Sequence, residues 1–141
     1  MIILDTNVIS ELITTAPDPK VREWANRQPR GELVTTTITV MELRAGVEKL
    51  LQSRRRRKLE TDIDWALNDL LAGRVLNFDR RAACAAAAWF GTCRRAGRTV
   101  PTTDLQIAGV AISRRIPIAT RDIRDFEGIG VKLVNPWDAP A

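Results

Sequence analysis

Asp5, Glu42, Asp104 and Asp122 are the residues of this sequence best placed to do chemistry. Asp5 directly follows the apolar run Ile2-Ile3-Leu4, and an acid at the end of a buried strand is costly unless it is paired or metal-bound. Asp122 follows a second apolar run, Pro117-Ile118-Ala119-Thr120. Asp104 opens a helix, and Glu42 sits one turn into another, between Met41 and Leu43. Three of the four have an ordinary alternative. Asp104 can favour a helix dipole, Glu42 can be a solvated helix residue, and Asp122 can cap a turn. Asp5 is the hardest to explain that way. Brought together, such carboxylates repel one another and need cations to stay ionised. Hard oxygen ligands select Mg²⁺, with Mn²⁺ as substitute. Ions held so can orient and deprotonate a water and stabilise the leaving oxygen of a phosphodiester.

Composition removes most competitors. The chain has no His and no Tyr, which excludes Ser-His-Asp and Cys-His catalysis and His-ligated zinc. Its two cysteines, Cys84 and Cys93, fall in one helix. Nine residues of helix rotate by about 900° and rise about 13 Å, so the thiols face opposite sides and form no disulfide. With 22 basic and 17 acidic residues the net charge is +5, which suits a polyanionic partner such as nucleic acid. The 141 residues, 45% hydrophobic and 28% charged, fit one domain over 1–141. No apolar run approaches the roughly 18 residues a membrane span needs. The start, MIILDTNVI, lacks a basic n-region, so a cytoplasmic protein is expected.

Eleven stretches must position these acids. Residues 2–4 read as a buried parallel strand, followed by a short helix over 7–13. Asp18-Pro19 starts a helix that runs to about Gln28. A β-branched strand covers 33–36. Thr39 is expected to cap a helix with Val40, Leu43, Val47 and Leu50-Leu51 on its apolar stripe. A long helix from about Arg55 to Ala72, closed by Gly73, leads to a strand over 75–78. Asp79 caps an Ala-rich helix to about Arg95, closed by Gly97. Thr102 or Thr103 is expected to cap the helix of Leu105, Ile107, Ala108, Ala111 and Ile112. Strands follow at 117–120 and 131–134. Strands alternating with helices predict an α/β fold with a mainly parallel sheet, whose sites form beyond the C-terminal strand ends.

These residues resemble a known family. Asp5-Thr6-Asn7-Val8 is similar to the opening motif of PIN-domain nucleases. Ile38-Thr39-Val40-Met41-Glu42-Leu43-Arg44 with Gly46 resembles the second acidic motif of bacterial VapC/FitB-type toxins. Thr103-Asp104 with Ile107-Ala108 resembles the third, Ala119-Thr120-Arg121-Asp122 with Asp125-Phe126 the fourth, and Asn135-Pro136-Trp137 the family's tail. The resemblance implies a PIN-like three-layer sandwich with a five-stranded sheet of order 3-2-1-4-5. It also implies a metal-dependent endoribonuclease acting as toxin of a toxin–antitoxin pair, with an antitoxin partner, an RNA substrate and a homodimer. Asp5, Glu42, Asp104 and Asp122 match the metal-binding acids, and Thr6, Asn7 and Thr120 the supporting polar positions. The residues before Asp104, Pro101-Thr102-Thr103, are bulkier than the small ones common in the family.

Local alternatives exist for the supporting residues. Asn7 could cap the first helix, Thr6 and Thr120 could satisfy backbone groups, and Asp125 reads as ending a turn. Arg54, Arg55, Arg56, Arg57 and Lys58 are five consecutive cations. Five in a row wrap around a helix, so a solvated helix start competes with an RNA-binding rim, although cations there oppose the macrodipole. The tryptophans at 24, 65, 89 and 137 read as core or interface rather than base-stacking platforms. A phosphoryl-transfer enzyme of the haloacid-dehalogenase type would want Asp at position 7, where this chain has Asn. A non-catalytic RNA-binding module would have no need of all four acids.

Overall fold

Alternation along the central strand decides the layering. In the computed structural model, which describes residues 1–140, β1 (Ile2–Leu4) turns Ile2 and Leu4 to one core and Ile3 to another. β2 (Leu33–Thr36), β3 (Val75–Leu76), β4 (Ile118–Ala119) and β5 (Leu133–Val134) complete a sheet of order β3-β2-β1-β4-β5, with every pairing parallel. That is the expected order. The outer strands are shorter than the sequence predicted.

The first core holds Leu4 of β1 with Val8 and Ile9 of α1 (Thr6–Ile13), Val21 of α2 (Pro19–Arg27), Ile63 of α4 (Arg54–Trp65) and Leu71, just past the wide π turn that ends α4. The second core packs α5 (Arg80–Arg95) and α6 (Thr102–Arg114) on the other face through Trp89, Ile107 and Val110. α3 (Thr37–Glu48) reaches both, with Ile38 in the second and Leu43 and Val47 in the first. Two helix layers thus enclose the sheet. α5 and α6 approach closely because α6 carries Gly109, where a Cβ would meet the Ala82 carbonyl oxygen at 2.3 Å and the Ala86 Cβ at 2.8 Å. Cys84 is exposed and Cys93 buried, on opposite sides of α5 as their spacing predicts.

Three expectations fail. Thr36, not Thr39, caps α3, accepting from the Thr39 N–H at 3.2 Å. The strand's last residue doubles as the cap, so the helix starts earlier. Neither Thr102 nor Thr103 caps α6, which opens behind Pro101 without a side-chain cap bond. α3 also stops at Glu48, leaving Leu51 88% exposed rather than on the apolar stripe. Among the described residues no helix is long and apolar enough to cross a membrane.

Candidate active site

β1 pairs with β2 on one side and β4 on the other. The chain's direction of travel across the sheet therefore reverses between β1 and β4, and their C-terminal ends border a crevice. Asp5 leaves β1 there and is the N-cap of α1. Its Oδ1 accepts from the Val8 N–H at 3.0 Å. With Asp5 filling the cap, Asn7 is released, and its amide donates to Asp122 Oδ2 at 2.9 Å. Asp122 leaves β4, and its own N–H donates to Thr120 Oγ1 at 2.9 Å. Buried Thr120 in turn donates its hydroxyl to Asp5. Thr120 therefore does satisfy a backbone group, and it also ties the two strand-end acids together.

Glu42 arrives from α3. The Thr6 hydroxyl donates to Glu42 Oε1 at 2.6 Å, with the buried Thr39 hydroxyl 3.2 Å from Thr6 Oγ1. Asp104, in the first turn of α6, faces Asp125, which the sequence suggested only as the end of a turn. The carboxylate oxygens of Asp104, Asp122 and Asp125 lie within 4.8 Å of one another. Asp125 belongs to the four-residue helix α7 (Ile123–Phe126), and its N–H donates to the Asp122 carbonyl at 3.1 Å. So it does end a turn. The signal for more was its spacing of three from Asp122, which puts both on one helical face.

Burial and neighbouring negative charge raise two of these acids, Asp5 and Asp104, above the ordinary carboxylate range. Asp5, only 3% exposed, is pushed up to about 6 chiefly by burial. The Thr120 and Val8 hydrogen bonds pull it down, and the charges of Asp122 and Glu42 push it up. Asp104 is pushed up to about 8, first by burial, then by the hydrogen bond and charge of Asp125, then by Asp5 and Asp122. Five carboxylates are thus electrostatic neighbours. At neutral pH they ionise fully together only if a cation joins them.

Residues 2–132 match the family model of the PIN domain. The chain belongs to the PIN-domain family. Three curated relatives align along nearly its whole length. The "Plasmid stability protein StbB" of Pseudomonas syringae pv. tomato is 40% identical, covering 99% of this chain and 100% of its own. The "VapC ribonuclease Y4jK" of Sinorhizobium fredii is 37% identical, covering 98% and 99%. "Toxin FitB" of Neisseria gonorrhoeae is 34% identical, covering 97% and 99%. The solved structure of FitAcB from Neisseria gonorrhoeae superposes with a TM-score of 0.88 at 34% identity, covering 98% of this chain and 99% of that one. This PIN domain is of the VapC/FitB type.

The tract expected as an RNA rim divides in this PIN domain. Arg56 is held by Glu48 at 3.2 Å, Glu60 at 3.1 Å and the Leu50 carbonyl at 2.9 Å. Arg54, Arg55 and Arg57 are exposed.

Proposed function

We propose that this PIN domain is a divalent-metal-dependent endoribonuclease, the toxin of a toxin–antitoxin pair, with Asp5, Glu42, Asp104 and Asp122 as catalytic acids. One observation carries the reading. Acids from both halves of the chain converge on the β1–β4 crevice, where Asp5 and Asp104 keep protons well above the ordinary carboxylate range. That donor set, all hard oxygens, fits Mg²⁺ or Mn²⁺.

Asp5, Glu42, Asp104 and Asp122 would hold the metal, with Asp125 beside them. When bound, the metal supplies activation of water and neutralisation of charge on the phosphodiester. The chain's own residues prepare that. The Thr6 hydroxyl and the Asn7 amide each fix one oxygen of Glu42 and Asp122, which sets the direction of the other. Asp104 holds its proton against Asp125 and must release it before all the acids can act as ligands. Thr120 couples Asp5 to the backbone that carries Asp122.

The names of the ribonuclease and toxin relatives support the substrate class and the toxin role. An antitoxin would silence the site by placing a guanidinium among the carboxylates, which replaces metal charge. The chain would work in the cytoplasm as a homodimer. Exposed Ala83, Ala87 and Phe90 form an apolar stripe along α5 that suits self-association.

The test is cleavage of total and structured RNA by partner-free protein. Mg²⁺-dependent cleavage, lost in EDTA and in Asp5→Asn, is expected. RNA binding by folded protein without cleavage in Mg²⁺ or Mn²⁺ would favour a non-catalytic RNA-binding module.

A further inference from the structure

A cluster of carboxylates repels the polyanion it is meant to cut, so a cation beside the crevice must hold the substrate. Several arginines already have partners. Arg44 pairs with Asp64 at 2.6 Å, Arg56 with Glu48 and Glu60, and Arg114 with Asp79. Arg98 donates to the Arg124 and Glu127 carbonyls.

Arg121 is held differently. It is exposed and immediately precedes Asp122 on the segment leaving β4. Its guanidinium carbon lies 4.9 Å from the centroid of the Trp137 ring. Trp137 follows β5, the parallel neighbour of β4, so the two residues bridge adjacent strand ends on the same edge as the acids. Trp137 is itself anchored. It packs against the first core, and its backbone N–H donates to Asn135 Oδ1 at 3.0 Å. A cation–π contact covers the flat face of a guanidinium and leaves the N–H donors on its edge available. The side chain is ordered in advance without spending the donors that grip a phosphate.

We propose that Arg121, positioned by Trp137, binds a phosphate of a single-stranded ribonucleic acid next to the phosphodiester presented to the acids. The proposal rests on the ribonuclease reading and names the contact by which that site holds its substrate. Such a contact is made equally in the ground state and the transition state, so it acts on KM and leaves kcat alone.

The experiment measures cleavage kinetics and, in the Asp5→Asn background, affinity against salt. The probes are a mixed-sequence single-stranded oligoribonucleotide and total tRNA. Arg121→Ala should raise KM and Kd about tenfold, the ordinary worth of one charge-assisted hydrogen bond, with kcat unchanged. The slope of log affinity against log salt should fall by about 0.7, the loss of one single-strand phosphate contact. Arg121→Lys should keep the slope. Trp137→Leu should raise KM about threefold with the slope unchanged, because the charge remains but its fixation is lost. Trp137→Phe, which retains an aromatic face, should restore most of the affinity. An Arg121→Ala protein with wild-type KM and salt slope overturns the proposal while leaving the nuclease reading intact. If wild-type protein binds RNA with an Arg121-dependent slope but never cleaves it, the clamp stands and the nuclease reading falls. If it neither binds nor cleaves, both fall.

Discussion

Replacing Asp5 by Asn should abolish cleavage and, in EDTA at neutral pH, make the protein more stable. Asp5 ionises at about 6 in the fold against 3.8 ordinarily, a difference of about 2 pH units, or about 3 kcal/mol. The sign follows from proton counting. Between about pH 4 and pH 6 the folded chain binds the Asp5 proton more tightly than the unfolded chain, so stability falls as pH rises through that window. Above it the full penalty for a buried charge is present; below it there is none. Asn keeps an oxygen to accept from the Val8 N–H, so the α1 cap survives while the charge is removed. The variant should therefore melt higher than wild type by about 10 °C at pH 7.5, and the two should converge near pH 4. Scanning calorimetry or urea titration in EDTA from pH 4 to pH 8 reads this directly. Mg²⁺ should close the neutral-pH gap by stabilising only the wild type. A variant less stable than wild type at pH 7.5, or a gap that ignores pH, would refute the reasoning.

Other outcomes follow from the same structure. Gly109→Ala forces a methyl group against the Ala82 carbonyl oxygen and the Ala86 Cβ and should cost about 2 kcal/mol in urea unfolding as α5 and α6 are driven apart. Phe90→Glu places a charge on the exposed α5 stripe and should leave only monomer in light scattering at micromolar concentration, whereas wild type should be dimeric. Asp125→Asn should weaken Mn²⁺ binding about tenfold in calorimetric titration, with little change in the melting temperature of the metal-free protein. Replacing exposed Arg54, Arg55 and Arg57 together by Ala should lower RNA affinity and flatten its salt dependence; Arg56→Ala should instead lower stability, because its salt bridges and its bond to the Leu50 carbonyl join α4 to α3 and the loop after it.

The architecture was legible wherever local physics decides it. The apolar run at 2–4, Asp18-Pro19 and Asp79 as helix starts, and Gly73 and Gly97 as stops with positive φ all stand in the structure. What escaped depends on tertiary neighbours. Thr36 and Thr39 are both β-branched hydroxyl residues in a run of threonines. Which one caps depends on how far the strand pairing with β3 extends. Asp104, Asp122 and Asp5 were visible at the strand and helix ends. Asp125 was legible only as the end of a turn, because its place in the cluster depends on α7 meeting the start of α6. Asn7 was ambiguous in sequence because a cap and a carboxylate partner call for the same side chain. Asp5 settles it by taking the cap. Arg121 drew no attention because Trp137 is brought to it by strand pairing rather than by sequence proximity.

The hydrogen bond from Asn7 to Asp122 spans 115 positions of chain, and this has a bearing on synthesis. A nascent polypeptide that has β1, α1 and α3 in place owns Asp5 and Glu42 but lacks the strand that completes the crevice. β4 must emerge and insert beside β1 before the carboxylates meet. Fragments released early by a stalled ribosome therefore lack the assembled cluster of acids. The crevice is thus a late product of folding, closed only when β4 has paired with β1.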